Sequence, residues 1–176
     1  AYNREPFSKT EVAKLWDVKD SNIYYTVILM LIYTGCRIGE LLDLKKENVN
    51  LEERYFKIVA SKTAAGIRTA PISEKVYPFF EYWYNLNDCE YLLSTPEGEH
   101  FKYRNYYDSY WSPLIETLGM KHRPHDTRHT CISMLTVAGV SDKVIKKIVG
   151  HKGQGVTEVV YTHFEIEELI DAINKI

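Results

Sequence analysis

Cysteine is scarce in this chain: Cys36, Cys89 and Cys131 are the only three in 176 residues. None stands in a CxxC spacing and their number is odd, which argues against a disulfide framework or a thiolate metal site and for neutral, buried thiols in a reducing compartment. Long hydrophobic runs are also missing. The best candidate, Tyr24 to Tyr33, falls far short of the roughly 20 apolar residues that a membrane-spanning helix needs. Ala1 to Phe7 is polar and contains a proline, so no signal peptide is expected. Positive charge is not in excess either, since 22 Lys and Arg face 24 Asp and Glu for a net charge of −2. A polyanion-binding protein normally has a basic surface. Here the acidic residues gather at Glu52–Glu53, Glu97–Glu99 and Glu165 to Asp171, leaving Lys121–Arg123 and Lys143–Lys152 locally positive. Local sign governs such binding more than the total.

Several catalytic signatures are absent as well. The chain has no GxxxxGK[ST] phosphate loop, no GxGxxG after a strand, no HExxH and no GxSxG. ATP hydrolysis, dinucleotide chemistry and serine-hydrolase chemistry therefore lack their usual residues. What is present is a globular composition, 45% hydrophobic and 26% charged, with a length that suits one domain over residues 1–176. No internal repeat, low-complexity segment or linker divides it.

The local pattern is mostly helical. Ser8 and Glu11 form a capping-box pattern that opens a helix to about Asp17. A second helix is expected from Asn22 to Thr34 with Gly35 as its stop, followed by helical spacing of Ile38, Leu41 and Leu42. β-prone runs at Arg54 to Ala60 and Ile67 to Ile72 flank Ala64 to Gly66, predicting a small antiparallel hairpin or three-stranded sheet. Helical stretches follow at Glu74 to Leu86, despite Pro78, and at Asn105 to Leu118. Further helices are expected at Asp126 to Ala138, ended by Gly139, and from a Ser141 cap to Val149, ended by Gly150. The tail from Glu165 to Ile176 sets Ile166, Leu169, Ile170 and Ile173 on one face. The fold class is thus α+β, mainly α-helical, with a small antiparallel sheet.

The polar residues that stand out lie at helix ends. His125 sits at a helix N-terminus behind Arg123 and Pro124, with Arg128 one turn in. Free N–H groups, the helix dipole and a planar guanidinium together suit an anion such as phosphate. The alternative is a solvated cap with surface charges. Arg37 stands at a second helix junction with Glu40 one turn later; the pair reads either as an ordinary helix-surface ion pair or as an arginine held by its carboxylate. His151 follows Gly150, and Tyr161 lies downstream. Taken singly, that histidine is a turn residue and that tyrosine is one of 14.

The ordered set is more specific than its parts. The series Arg37, Lys62, His125 with Arg128, His151 and Tyr161 resembles the catalytic signature of the tyrosine recombinase (phage integrase) family. Thr34 to Leu44 is similar to the family's first arginine box and His125 to Thr130 to its second. Gly150 to His163 is similar to the third, and Lys62-Thr63 with Arg68 and Pro71 to its β-hairpin lysine segment. The resemblance spans roughly Ser8 to Glu165. Two features depart from it. The interval from His151 to Tyr161 is slightly longer than usual and contains Gly153 and Gly155. The N-terminal DNA-binding domain that usually completes the clamp around the duplex is not found in this chain.

The resemblance implies a division of roles. Tyr161 attacks the scissile phosphate, forming a 3′-phosphotyrosyl link and freeing a 5′-hydroxyl. A phenol with a pKa of about 10 needs help to lose its proton, and His125 is the candidate general base, with His151 as the other. Arg37, Arg128 and His151 stabilise charge on the non-bridging oxygens, and preorganised donors of this kind contribute about 3–4 kcal/mol each. Lys62 protonates the leaving oxygen. Glu40 orients part of the site, while Arg68, Arg123 and Lys152 are expected to contact DNA. No metal, cofactor or ATP is required, since the phosphotyrosine stores the bond energy. The implied partners are double-stranded DNA with specific recombination sites, three further copies in a homotetramer, and accessory DNA-bending or excision proteins, in a bacterial cytoplasm. The apolar tail is expected to connect one copy to the next; the other reading is that it packs on its own domain.

Three other functions would draw on parts of the same sequence. A metal-dependent phosphoesterase would use His122, His125, His129, His151 and His163 with Asp126, but these lack a settled ligand spacing and two arginines repel a cation. A helical DNA-binding module without chemistry would not need all six residues. Type IB topoisomerase relaxation would use the same set.

Overall fold

The first helix, α1 (Lys9–Val18), opens on the capping box written in the sequence. Ser8 Oγ accepts from the Glu11 N–H at 3.1 Å, and Glu11 Oε1 accepts from the Ser8 N–H at 2.9 Å. These coordinates come from a computed structural model that describes residues 5–61, 63–150 and 163–176, with side chains of the last segment from residue 165.

α2 (Tyr24–Thr34) carries almost only apolar and aromatic side chains, and each of its residues is buried. A helix apolar all round has to be enclosed. Here α1, α4 (Tyr77–Asn85) and α7 (His125–Val137) pack around it. Burying large side chains such as Ile28, Leu29 and Leu31 stabilises by about 1.5–3 kcal/mol each. The three tryptophans join this core without losing their N–H partners. Trp16 donates to Tyr33 Oη, Trp83 to Thr26 Oγ1 and Trp111 to the His122 carbonyl, at 2.9–3.1 Å. Pro78 is tolerated in α4 because it lies in the first turn, where no N–H is needed.

After α3 (Ile38–Leu42) comes the sheet, in the order β1 (Val49–Asn50), β2 (Tyr55–Ile58), β3 (Arg68–Pro71). Both pairings are antiparallel, with Phe56 opposite Ala70 and Ile58 opposite Arg68. All four β3 residues are buried. α8 (Asp142–Val149) and α9 (His163–Ile173) both pack against this strand. The run expected from Asn105 to Leu118 is continuous but not uniform: α5 (Tyr103–Tyr106) passes into a π-helical turn, Tyr107–Trp111, and then α6 (Ser112–Thr117). Pro113 follows the wider turn, and it lacks the N–H that a regular helix would bond back into that turn. The result is the expected α+β architecture, mainly helical with one small antiparallel sheet. No helix among the described residues is long and apolar enough to cross a membrane.

The tail corrects an expectation. Leu169, Ala172, Ile173 and Ile176 are buried, and α9 lies on β3 and α8 of its own chain. Asn174 Oδ1 also accepts from the Glu74 N–H at 2.8 Å. Leu169 and Ile173 of the apolar stripe are therefore covered within the chain, while Ile166 and Ile170 are half-buried and line a cleft beside β2 and β3.

Candidate active site

α2 ends at Gly35, whose φ of +71° is left-handed and whose N–H bonds to the Leu31 carbonyl at 3.0 Å. A Cβ at Gly35 would stand 2.5 Å from Val149 Cγ1, so glycine is required for both conformation and space. The sharp turn delivers Arg37 to the N-cap of α3. Its N–H donates to Glu40 Oε1 at 2.9 Å, and its guanidinium reaches Glu40 Oε2 at 3.4 Å. The Glu40 side chain is only 7% exposed, against 37% for Arg37, so this carboxylate is an inward-facing partner and not a surface one.

The inward side of Glu40 is occupied by Arg68. Its Nη1 and Nη2 approach Oε2 and Oε1 at 2.9 and 3.0 Å, a bidentate pair. Its Nε donates to the Ile148 carbonyl at 2.9 Å and its Nη1 to the Gly66 carbonyl at 2.6 Å. With a side chain 1% exposed, Arg68 does not stand on a DNA-facing surface, contrary to the expectation from sequence. The covering of β3 by α8 and α9 draws it inside.

Arg128, one turn into α7, is also buried. Its Nη1 donates to the Gly35 carbonyl at 3.1 Å and to the Val149 carbonyl. Thus Arg68 and Arg128 together satisfy carbonyls at the C-terminus of α8, where the helix leaves acceptors open and its dipole is negative. Nη2 of Arg128 is buried and has no hydrogen-bond partner among the described residues. A buried unpaired donor costs about 1–3 kcal/mol, more when charged, so the position favours an anion.

His125, the first residue of α7, is exposed, and its ring meets that of His129 edge-on with centroids 4.9 Å apart. Arg123, just before the helix, is exposed, and its N–H donates to Asp126 Oδ2 at 3.1 Å. Asp126 Oδ2 also lies 2.9 Å from His122 Nδ1, and His122 Nε2 lies 3.0 Å from Glu11 Oε1. The His122 ring stacks on Phe7 at 3.9 Å, and the Phe7 N–H donates to Thr130 Oγ1. This clamp between the entry to α1 and the start of α7 is not legible in the sequence. Its one local signal was the spacing of His122 and Asp126, one helical turn apart.

The electrostatics follow from the crowding of three guanidiniums. Burial, and then repulsion from Arg37 and Arg68, pulls the Arg128 pKa down to about 10. Burial alone would raise the Glu40 carboxyl, but bonds and charge from Arg68, and then Arg37, hold it below its ordinary value. Burial pushes the Cys36 thiol up to about 11 and Cys131 up to about 12, leaving both neutral. Beside Arg37, an open cleft of about 570 Å³ runs between α3 and β2 and is lined by Lys45, Lys57, Ser61 and Thr63 among others. Ser61 and Thr63 are the sequence neighbours of Lys62. Among the candidates, the structure brings Arg37, Glu40, Arg68 and Arg128 together, with His125 at the head of the same helix as Arg128. Lys62, His151, Lys152 and Tyr161 lie outside the described residues.

A partly buried cluster of guanidiniums around one carboxylate, at the meeting of three helix ends, is a site for an anionic oxygen group. The sequence profile of the phage integrase family matches residues 7–168. The chain belongs to that family. It is 25% identical over 210 aligned positions to a XerC-like tyrosine recombinase of Caldanaerobacter subterraneus subsp. tengcongensis, covering 98% of this chain and 54% of that protein. It is 26% identical to the tyrosine recombinase XerA of Pyrococcus furiosus, covering 96% and 60%. The chain thus spans between half and two thirds of the length of these curated relatives. Its fold matches that of the Tn1549 transposon integrase, solved in complex with a circular intermediate DNA, with a TM-score of 0.75 at 21% identity over 87% of this chain and 60% of that one.

Proposed function

We propose that residues 1–176 form the catalytic domain of a site-specific tyrosine recombinase, which cuts and rejoins DNA through a covalent phosphotyrosine. The observation that carries this reading is the buried Nη2 of Arg128, without a hydrogen-bond partner among the described residues, near Arg37 in a chain of the phage integrase family. Two guanidiniums with fixed positions match the non-bridging oxygens of a phosphodiester and gain most when charge grows on them in the pentavalent transition state.

In this reading Tyr161 is the nucleophile, attacking phosphorus while the bond to the 5′ oxygen breaks. His125 accepts the phenolic proton, with His151 as the other candidate base and a further donor to the phosphate. Lys62 gives the 5′ oxygen its proton. Glu40 keeps Arg37 in place. Arg123 and Lys152 contribute positive charge toward the DNA backbone. The bond to tyrosine conserves the phosphodiester energy, so resealing by an incoming 5′-hydroxyl needs neither ATP nor a metal ion. The DNA partner follows from this chemistry and is supported by the DNA complex of the Tn1549 integrase. Two duplexes exchanged by four cuts call for four copies, an assembly seen for lambda integrase bound to a Holliday junction. Accessory DNA-bending or excision proteins and a cytoplasmic location belong to the same reading.

The test is a nicked suicide DNA substrate, from which a short strand diffuses away after cleavage. A covalent protein–DNA adduct that survives denaturant and forms fully in EDTA supports the reading; absence of any adduct on the cognate site rejects it.

A further inference from the structure

We propose that Arg68 is a positioning residue for strand cleavage, fixing three separate segments of the site relative to one another through a single guanidinium. The proposal rests on the recombinase reading above. The three segments are α3 with Arg37, the turn after β2 with Gly66, and the C-terminal end of α8.

Arg68 uses every edge of its planar group. Nη1 and Nη2 hold Glu40 in a two-point grip at 2.9 and 3.0 Å. Glu40 in turn accepts from both the backbone N–H and the guanidinium of Arg37. Nη1 also bonds the Gly66 carbonyl at 2.6 Å, in the turn that follows Lys62 and Thr63. Nε bonds the Ile148 carbonyl at 2.9 Å, and the side chain packs so closely on Gly150 that a Cβ there would lie 2.6 Å from Nη1. Gly150 directly precedes His151 in the sequence. One side chain therefore touches the supports of Arg37, of the lysine hairpin and of the helix leading to His151.

Stability alone gives little reason for this arrangement. Removing two charges from water costs more than a well-packed apolar pair would, so buried ion pairs are poor stabilisers in general. What a guanidinium adds is geometry: a rigid fork that fixes distance and angle to several acceptors at once, which a lysine ammonium cannot reproduce. Catalysis is sensitive to such errors, since small displacements of preorganised groups lower rates strongly. Arg68 itself is buried, so its effect passes through the groups it holds, Glu40, Gly66 and Ile148 among them.

The experiment compares Arg68→Lys and Arg68→Met with the parent chain on the nicked suicide substrate. It records noncovalent DNA affinity, the first-order rate of adduct formation at saturating DNA, and the denaturant midpoint. Arg68→Met should unfold at lower denaturant, because the buried Glu40 loses its bidentate partner and keeps only Arg37. Arg68→Lys should recover most of that midpoint and bind DNA within about threefold of the parent, yet form adduct at least about tenfold more slowly. If Arg68 serves folding only, rate recovers along with stability, and an Arg68→Lys rate within about twofold of the parent overturns the proposal. Should either single variant fail to fold, the pair Arg68→Met with Glu40→Leu removes both buried charges. A folded pair that cleaves at the parental rate also overturns the proposal, and slow cleavage with intact DNA binding supports it. A parent chain that forms no adduct on its cognate site rejects the recombinase reading and the positioning role with it, whereas a competent parent with a fast Arg68→Lys rejects the positioning role alone.

Discussion

His122 Nε2 lies 3.0 Å from Glu11 Oε1 across a sequence separation of 111 residues, and its other ring nitrogen faces Asp126 at 2.9 Å. The clamp ties the segment that enters α1 to the first turn of α7, the helix that presents His125 and Arg128. It fixes Phe7 and the start of α1 relative to the candidate site.

The clamp makes part of the stability depend on acid. Burial alone would raise the Glu11 carboxyl, but the Ser8 N–H and then His122 hold it below its ordinary value of 4.5. A carboxyl lowered by folding stabilises in full above its unfolded pKa and loses that contribution as pH falls through the folded value. Glu11→Gln is therefore expected to cost about 1 kcal/mol at neutral pH, a partly exposed site counting for less than a buried one. Thermal unfolding followed from pH 7 into acid should show the variant and parent converging. A constant offset at every pH would contradict the assignment.

Gly35 offers a test of the backbone geometry. Gly35→Ala places a Cβ on a left-handed residue and against Val149, at the carbonyl that Arg128 uses. A loss of about 3 kcal/mol is expected from strain and overpacking together. Urea unfolding measures it directly, and an unchanged midpoint would mean that the α2–α3 turn is built differently.

These two cases also mark what could be read from sequence. The Ser8–Glu11 box, the Gly35 and Gly150 stops and the Ser141 cap are local, written in residues a turn apart, and the structure has each of them. Arg68 was a different matter. Alternation along a strand assigns a side chain to one of two faces, and β3 has every residue buried because helices cover it as well. Nothing in the run around Arg68 announces that cover. The tail stripe was likewise visible as Leu169 and Ile173, but an apolar face states that it must be buried, not against what.

That tail yields its own prediction. Leu169, Ile173 and Ile176 are each buried in the chain's own core, at about 1.5–3 kcal/mol apiece. Deleting residues after Phe164 should remove a large share of the typical 5–15 kcal/mol of a domain. Circular dichroism melting is expected to show a broad, low transition or aggregation. A truncated protein that melts like the parent would return the tail to a role between copies.

Charge stabilisation and proton donation can be separated kinetically. Arg128→Lys retains charge but cannot keep the bonds to Gly35 and Val149 while presenting a second nitrogen, so cleavage should slow by about 10²-fold or more. Lys62→Ala should slow it as well, through the leaving group. A bridging 5′-phosphorothiolate, whose sulfur departs without needing a proton, should restore much of the Lys62→Ala loss and little of the Arg128→Lys loss. The opposite pattern of rescue would exchange the two roles.

The most direct measurement is the identity of the residue joined to DNA. Among the tyrosines of the run 106–110, Tyr106 is fully buried, with its phenol pushed far above its ordinary pKa by burial, which leaves the half-buried Tyr107 and Tyr110 as the alternative nucleophiles. Trapping the adduct on a nicked suicide substrate, digesting it and sequencing the nucleotide-bearing peptide by mass spectrometry should identify Tyr161. The Tyr161→Phe protein should bind the same DNA and give no adduct. A peptide carrying the nucleotide on any other residue, or a persistent adduct with Tyr161→Phe, would contradict the account.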